Sequence, residues 1–256
     1  MPSALPRTLG EWLEEPFALA MSSGFFAFFA HTGVLGALVA RGARPTRVSG
    51  SSAGALVTGA YAAGAEPGRI EEELAGLRRH DFWDPRPGLG LLAGRLFHAR
   101  LAAMLPARTF EACRIPAAVS VYDVRARSTR VLRSGDLPLA IRASCTVPLL
   151  FHPAWQGRRP LLDGGILDRP GLLGMPAGER VLLHHIVSRS PWRRPGDAGL
   201  RVPARDGMVT LRIHGLPRSG PFRLDEGRRA LVAAREAAVR ALALPLGPDG
   251  VVDVEA

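Results

Sequence analysis

A serine set between small residues is the first place in this sequence where chemistry can be expected. Gly50-Ser51-Ser52-Ala53-Gly54 fits the pattern Gly-x-Ser-x-Gly, in which the serine occupies a sharp turn between a strand and a helix. Gly50, Ala53 and Gly54 have to be small because neighbouring Cβ atoms would clash in such a strained turn. The helix predicted to begin at Ala53 directs free backbone N–H groups and its positive dipole end toward Ser52. The pattern nominates Ser52 as a nucleophile, with a simple tight connection as the alternative.

A carboxylate in a second glycine turn supplies the base that a serine nucleophile needs. Asp163 precedes Gly164 and Gly165 at the end of a predicted strand. A serine hydroxyl has to give up its proton to a base. A carboxylate within hydrogen-bond reach serves when it is partly desolvated, because burial raises its pKa toward the working range. The alternative for Asp163 is an Asx-turn or a helix cap in a glycine-rich bend. Ser52 and Asp163 together predict a two-residue catalytic site.

Two adjacent histidines leave a three-residue site open as an alternative. The order Ser52, Asp163, His184 is that of an α/β-hydrolase triad, and His185 is an equivalent candidate. However, residues 181–187 read as the interior of a buried strand, whereas the histidine of such a triad normally follows a strand on a loop. We therefore favour the dyad. The remaining histidines, at positions 31, 80, 98, 152 and 214, are interpreted as structural.

The order of predicted elements places these residues on a sheet. Strands alternate with helices, which indicates an α/β fold: a three-layer sandwich with a mainly parallel central sheet flanked by helices. The predicted strands are residues 17–21, 46–49, 117–124, 128–132, 159–162, 180–187 and 208–213. One predicted helix ends near residue 40, and four others span residues 53–63, 67–77, 137–144 and 224–244. Residues 82–96 are predicted to form a loop or cap. The loops at Ser22, Gly50 and Asp163 each follow a strand, where reactive groups gather in such sheets.

One uncharged stretch raises the question of a membrane span. Residues 17–40 contain no Asp, Glu, Lys or Arg, and such a run is long enough to cross a bilayer. Ser22-Ser23-Gly24 interrupts it where a strand should end, and a buried strand, a turn and a buried helix have the same composition. We predict the strand, turn and helix. The length of 256 residues then suits one compact domain over residues 1–256, with its core at about 15–243.

The charge of the chain does not indicate a nucleic-acid partner. The net charge is +10 and all 33 basic residues are arginine, a bias that GC-rich coding produces. The arginines are spread along the chain with only short pairs such as Arg158-Arg159, and no recognition module accompanies them. We interpret them mainly as solvated surface charge. Transient contact with an anionic membrane surface stays open.

Cofactors and export signals are not expected. Cys113 and Cys145 are too few for a disulfide framework, and neither has neighbours at metal-ligand spacing. We therefore expect reduced thiols, no metal and no organic cofactor. Residues 1–15 lack the basic region and the apolar run of a signal peptide. These features predict a cytoplasmic protein, peripheral at a membrane if it contacts one.

Three blocks of sequence resemble one known family, the patatin-like phospholipases. The first lies in residues 19–38 and includes His31-Thr32-Gly33-Val34-Leu35, the second is residues 48–56, and the third joins residues 141–148 to residues 161–165. The family pairs a Gly-x-Ser-x-Gly turn with Asp-Gly-Gly or Asp-Gly-Ala and works with a Ser–Asp dyad. The resemblance covers residues 15 to about 243. It implies that Ser52 is the nucleophile and Asp163 the base.

The resemblance also implies where the oxyanion of the reaction is bound. The family uses backbone N–H groups of a Gly-Gly-Gly-x-Arg-Gly loop; the matching residues are 23–28, with Ser23, Gly24 and Phe25 as candidate donors. Only Gly24 keeps its glycine, and Ala27 stands at the arginine position. Phe25 takes a positive φ only at a cost, so the loop has to differ in shape or tolerate strain. Losing one donor typically costs ~3 kcal/mol of transition-state stabilisation.

The implied activity is hydrolysis of lipid acyl esters, as in a phospholipase A or a lysophospholipase, through an acyl-Ser52 intermediate. The partner is then a lipid or acyl-ester substrate. The altered loop motivates an alternative, a weakly active or inactive member of the family that binds lipid. Of the phenylalanines at 25, 26, 28 and 29, we expect most to belong to the core and Phe25 to face the substrate.

Overall fold

The computed structural model describes residues 8–187 and 201–256. The helices in these ranges are α1 (Leu9–Trp12), α2 (Phe28–Ala40), α3 (Ala53–Ala62), α4 (Pro67–Ala75), α5 (Arg95–Met104), α6 (Leu137–Ser144) and α7 (Leu224–Ala241). The strands are β1 (Ala18–Met21), β2 (Arg47–Ser51), β3 (Gly90–Leu92), β4 (Ala117–Asp123), β5 (Ser128–Leu132), β6 (Leu149–Phe151), β7 (Ala154–Gln156), β8 (Arg159–Leu162), β9 (Val181–His185), β10 (Met208–His214) and β11 (Val251–Glu255). Residues 1–7, on which part of the signal-peptide prediction rests, lie outside the described residues.

A nine-stranded sheet forms the centre of the fold. Its order is β11-β10-β9-β1-β2-β4-β8-β7, with β5 paired to β4. The strands from β11 to β4 run parallel, and β5, β7 and β8 add antiparallel pairs at the other end. All four residues of β1 are buried, as expected for a central strand of a sheet covered on both faces. The predicted α/β fold with a mainly parallel sheet is confirmed.

The uncharged residues 17–40 form β1, a turn and α2, as predicted. At 13 residues, α2 is shorter than a bilayer-spanning helix. No helix in the described ranges is both long and apolar enough to cross a membrane. α2 packs closely on α7, since a Cβ added at Gly33 would lie 2.2 Å from the carbonyl oxygen of Leu231. This close contact with α7 holds α2 in place, and the turn that precedes α2 leads directly into it.

The two loops that carry Ser52 and Asp163 meet on one edge of β4. Parallel pairing of β2 ends at Ser51 opposite Ser120, and antiparallel pairing of β8 ends at Leu162 opposite Tyr122. Because β5 pairs with Val119–Asp123 and so occupies the other edge of β4, β2 and β8 share the remaining edge. They approach each other end to end. The residues that follow the two strands are therefore brought together.

The segment predicted as a loop or cap, residues 82–96, is more structured than expected. It contains β3 and the first residues of α5, and β3 pairs with β6 in a separate two-stranded sheet. The sequence predicted none of these elements, nor β7 or β11. Three-residue strands are too short to show an alternating pattern. In α5, only Leu101 is fully buried, so its apolar periodicity is weak.

Candidate active site

The turn around Ser52 is a strained elbow between β2 and α3. Ser52 has φ 52° and ψ −120°, a conformation that a non-glycine residue adopts only when its surroundings impose it. A Cβ at Gly50 would lie 2.5 Å from the amide nitrogen of Ala55, and one at Gly54 would lie 2.0 Å from the carbonyl oxygen of Met21. Both positions therefore require glycine. At these two positions of the turn the structure leaves no room for a side chain.

Asp163 lies directly against the hydroxyl of Ser52. Ser52 Oγ donates a hydrogen bond of 2.7 Å to Asp163 Oδ2, and the backbone N–H of Gly165 donates one of 2.8 Å to Asp163 Oδ1. Both side chains are nearly buried, with 8% of Ser52 and 6% of Asp163 exposed. A Cβ at Gly164 would lie 2.1 Å from the carbonyl oxygen of Ser120. The glycines after Asp163 thus let this turn press against β4.

Ser144 holds the elbow from behind, which the sequence did not predict. Its hydroxyl accepts a hydrogen bond from the backbone N–H of Ser52 (2.8 Å) and donates one to the carbonyl oxygen of Ser120 (2.7 Å). The thiol of Cys145 donates to the carbonyl oxygen of Ser52 at 3.2 Å. Burial, and then the charge of Asp163, raise the pKa of Cys145 well above its ordinary value, so this thiol stays protonated and is no competing nucleophile.

The loop at residues 22–27 presents fewer free N–H groups than expected. The N–H of Ser23 donates to the carbonyl oxygen of Arg169 at 2.7 Å, so it is unavailable to an oxyanion. Within the described ranges, no hydrogen bond occupies the N–H of Gly24. The strained residue is Phe26, with φ 54°, whereas Phe25 has no positive φ. The strain expected at Phe25 thus falls one residue later. The N–H of Gly24 is open to an oxyanion, and the role of Phe25 as a donor stays a prediction.

A buried pair of histidines holds this loop. His31 Nε2 lies 2.8 Å from the carbonyl oxygen of Ser22, and His31 Nδ1 lies 2.8 Å from His184 Nδ1. Since the carbonyl can only accept, His31 carries its proton on Nε2 and accepts at Nδ1 from His184. Burial lowers the pKa of His31 to about 4 and that of His184 well below its ordinary value. Both rings are therefore neutral near pH 7.

The structure does not bring either candidate triad histidine to Ser52. His184 and His185 both lie within β9 and are buried, and the lining of the cavity beside Ser52 includes neither. His184 contacts His31, and His185 Nε2 lies 3.3 Å from Arg169 Nη1. His31, interpreted from sequence as an isolated structural residue, has a specific partner. No sequence signal joined positions 31 and 184.

Arg169 is a second residue that the sequence did not single out. It is 2% exposed, and its Nη2 donates to the carbonyl oxygen of Ile186 at 2.8 Å. Its own carbonyl receives the N–H of Ser23, and it lines the same cavity as Ser52 and Asp163. The sequence analysis found Ala27 where the family loop has arginine. Arg169 brings a permanent positive charge to this wall from a different part of the chain.

The cavity beside Ser52 has a volume of about 470 Å³ and mostly apolar walls. Leucine side chains from α3, α4 and α5 line it, together with phenylalanines from the loop, from α2 and from β6. Phe25 lies at the cavity, as expected. Phe26 and Phe28 also line it and pack against the core at the same time, and Phe29 is fully buried in the core. The cavity is of a size and polarity that suit an apolar ligand.

In residues 8–187 and 201–256, no group of three or more His, Cys, Asp or Glu side chains is arranged to hold a metal ion.

Comparison with known proteins identifies the family. The family model for patatin-like phospholipase matches residues 19–174. Uncharacterized NTE family proteins from Mycobacterium bovis and from two strains of Mycobacterium tuberculosis are each 33% identical over 204 residues, which is 78% of this chain. The chain spans 54% of the length of these relatives. The crystal structure of VipD from Legionella pneumophila aligns with a TM-score of 0.46 and 15% identity, over 77% of this chain and 49% of VipD. By the family match and the mycobacterial relatives, this chain belongs to the patatin-like phospholipase family.

Proposed function

We propose that this chain hydrolyses lipid acyl esters through a Ser52–Asp163 dyad, in the manner of a phospholipase A or a lysophospholipase. The observation that carries the proposal is the 2.7 Å hydrogen bond from Ser52 Oγ to Asp163 Oδ2 at the wall of an apolar cavity. The family match supports lipid acyl hydrolysis in general terms. A nucleophile and a base in direct contact are the minimum that acyl transfer through a covalent intermediate requires.

In the first half of the reaction, Asp163 takes the proton of Ser52 while Ser52 Oγ attacks the ester carbonyl carbon. The carbonyl oxygen becomes an oxyanion in the tetrahedral intermediate. When that intermediate collapses, Asp163 returns the proton to the leaving alcohol, and the acyl group stays on Ser52. The hydrogen bond from Gly165 to Asp163 Oδ1 leaves Oδ2 for the reacting proton. In the second half, Asp163 accepts a proton from the water that attacks the acyl carbon. When this second tetrahedral intermediate collapses, Asp163 returns the proton to Ser52 Oγ and the fatty acid leaves.

The oxyanion is stabilised by the loop at residues 22–27. Gly24 and Phe25 supply backbone N–H groups there, since the N–H of Ser23 is engaged by Arg169. The positive end of α3, which begins directly after Ser52, acts on the same charge. Arg169 adds a fixed positive charge in the cavity wall. These groups compensate for the glycines and the arginine that the loop sequence lacks.

The substrate is a lipid whose acyl chain lies in the cavity. Apolar side chains such as Phe25, Phe28 and Leu101 line the cavity and would replace water around the chain. The engaged N–H of Ser23 supports a second candidate, a slow or inactive member that binds lipid without turning it over. The two candidates share the cavity and differ only in whether Ser52 reacts.

A fluorophosphonate probe separates the two candidates. We expect wild type to be labelled and Ser52→Ala to remain unlabelled. Ser51→Ala is the matched control, because Ser51 is the adjacent buried serine and its hydroxyl has no hydrogen-bond partner among the described residues. A panel of phospholipids, lysophospholipids and neutral acyl esters then identifies the substrate, with Ser52→Ala as the blank. Absence of labelling in folded wild type would favour the binding protein.

A further inference from the structure

Two neighbouring hairpins gather arginines that are far apart in the sequence. The turn between β4 and β5 and the turn between β7 and β8 line one open cleft. We call this the basic cleft; its exposed arginines are Arg125, Arg130, Arg158 and Arg159. The sequence analysis found arginines spread along the chain. Strand pairing of β4 with β5 and with β8 brings these four together.

Most of this positive charge is not neutralised. The acidic side chain at the basic cleft is Asp123, which is 1% exposed and binds Arg159 at 2.8 Å. Its pKa is lowered by the backbone N–H of Ala126 and by Arg159, so it is ionised and fully engaged. Among the described residues, no carboxylate forms an ion pair with Arg125, Arg130 or Arg158. The basic cleft therefore presents a net positive surface to whatever approaches it.

The basic cleft is connected to the candidate active site by a short piece of chain. β8 begins at Arg159 and ends one residue before Asp163, and four residues of extended strand span roughly 13 Å. β6 and β7 precede β8 in the chain, and residues of β6 line the cavity. Leu149 lines the rim and is 83% exposed, and Trp155 in β7 is 53% exposed. The exposed Trp155 thus lies in the strand paired with β8, next to the pair of Gln156 with Arg159, and the exposed Leu149 lies at the cavity.

We propose that the basic cleft, with Trp155 in the neighbouring strand β7 and Leu149 at the cavity, docks this protein on an anionic phospholipid bilayer. The inference rests on the proposed function, since docking would bring the cavity mouth to lipid substrate. Arginines next to an anionic leaflet are attracted by its surface potential. Tryptophan prefers the boundary between headgroups and acyl chains, and an exposed leucine gains by burial there. A nucleic acid would satisfy the arginines but offers nothing to the exposed leucine.

Vesicle binding tests the charge complementarity directly. All proteins carry Ser52→Ala, so that hydrolysis cannot alter the vesicles. We expect sedimentation with phosphatidylcholine vesicles that contain phosphatidylglycerol, and little with phosphatidylcholine alone. Each basic residue near an anionic surface strengthens binding roughly fivefold, so Arg125→Gln/Arg130→Gln/Arg158→Gln should weaken binding on the order of a hundredfold. Unchanged melting temperature verifies that this variant folds.

A charge-matched control separates the basic cleft from net charge. Arg41→Gln/Arg108→Gln/Arg229→Gln removes the same charge from exposed arginines that do not line the basic cleft. It should bind anionic vesicles like the parent protein. Equal losses in the two triple variants would overturn the proposal, as would equal binding of the parent to vesicles with and without phosphatidylglycerol. Binding of duplex DNA at the basic cleft without vesicle binding would also overturn it.

Trp155 reports whether the basic cleft itself touches lipid. Brominated phosphatidylglycerol should quench tryptophan fluorescence of the Ser52→Ala protein, and Trp155→Phe should remove most of that quenching. Persistent quenching in Trp155→Phe would place the contact elsewhere. The outcome is independent of turnover: vesicle binding without fluorophosphonate labelling of wild type would leave the docking surface standing and remove the proposed hydrolysis. Labelling without vesicle binding would do the reverse.

Discussion

The elbow at residues 50–54 and the loop at residues 22–27 line the same cavity but are held by different means. In the elbow the backbone is packed on backbone, since a Cβ at Gly50 or Gly54 would overlap atoms of α3 or β1. In the loop, side chains from elsewhere hold the backbone: His31 binds the carbonyl oxygen of Ser22, and the Ser22 hydroxyl accepts the N–H of Ile186 at 2.8 Å.

This difference explains why one wall has a recognisable sequence and the other does not. Backbone packing demands glycine at fixed positions and so leaves a short local pattern. A loop held by distant side chains accepts other residues, even Phe26 at φ 54°, because the strain is offset by contacts made elsewhere in the fold. Loss of the family's glycines from residues 23–28 is therefore compatible with a well-defined loop.

The largest expected effect comes from changing Asp163, which contacts Ser52 on the elbow side of the cavity. Asp163→Asn keeps the size of the side chain and an acceptor for Gly165 but removes the carboxylate that takes the proton of Ser52 in the proposed mechanism. We expect kcat for a soluble acyl ester to fall on the order of 10⁴-fold. His184→Gln, on the loop side, should cost far less. A comparable loss in folded His184→Gln would show that a triad operates and that the two walls share the proton transfer.

A glycine substitution tests whether the elbow is fixed by packing. Gly54→Ala would place a methyl group 2.0 Å from the carbonyl oxygen of Met21, so we expect the free energy of unfolding to drop by about 4 kcal/mol. Gly68→Ala is the control, because a Cβ in this helical position meets nothing within 4 Å; it should stabilise by about 0.5 kcal/mol. Urea denaturation measures both. A neutral Gly54→Ala would mean that the elbow relaxes freely.

Acid should act on the loop wall through its buried histidines. Burial lowers the pKa of His31 from 6.5 to about 4. Between these values the unfolded chain binds a proton that the folded protein excludes, so stability falls as the pH is lowered from 6.5 toward 4 and is unaffected by His31 above 6.5. The loss from His31 is on the order of 3 kcal/mol. Urea denaturation across this pH range should show it, and His31→Gln/His184→Gln should flatten the curve.

The smallest effects are expected for two serines that support the cavity walls, Ser144 behind the elbow and Ser22 in the loop. Ser144→Ala leaves the N–H of Ser52 and the carbonyl oxygen of Ser120 without this partner, and we expect a loss of about 2 kcal/mol in stability. Ser22→Ala removes one hydrogen bond, to the N–H of Ile186, and should cost about 1 kcal/mol. Thermal unfolding ranks them. The reverse order would show that the loop, not the elbow, depends more on its supporting serine.

The sequence predicted those parts of the molecule that are encoded by a short local pattern of residues. Strand β1 and the first three residues of β9 are buried apolar runs, and β2 and both glycine turns are marked by short local patterns. The pairing of His31 with His184 joins residues 153 positions apart, and nothing near either histidine indicates the other. Arg169 was missed for the same reason, because its role depends on Ser23 and Ile186. Such contacts exist only once the sheet has formed.

Contacts between distant parts of the chain also explain why the sequence did not reveal the basic cleft on the surface. The arginines of the basic cleft look dispersed because the chain separates them, and hairpin pairing is what collects them. For β6 and β7, at three residues each, pairing rather than local preference decides the conformation.

The end-to-end approach of β2 and β8 on β4 has a consequence for how this family can diversify. Ser52 and Asp163 are 111 positions apart, yet their distance depends on the register of two strands on a third and not on the length of chain between them. Deleting one residue from β8 would turn its side chains to the opposite face of the sheet. By contrast, the segments between α3 and β4, which include β3 and α5, can be lengthened or exchanged while the pair stays in place. New lids and new cavity shapes can therefore evolve over an unaltered pair of Ser52 and Asp163.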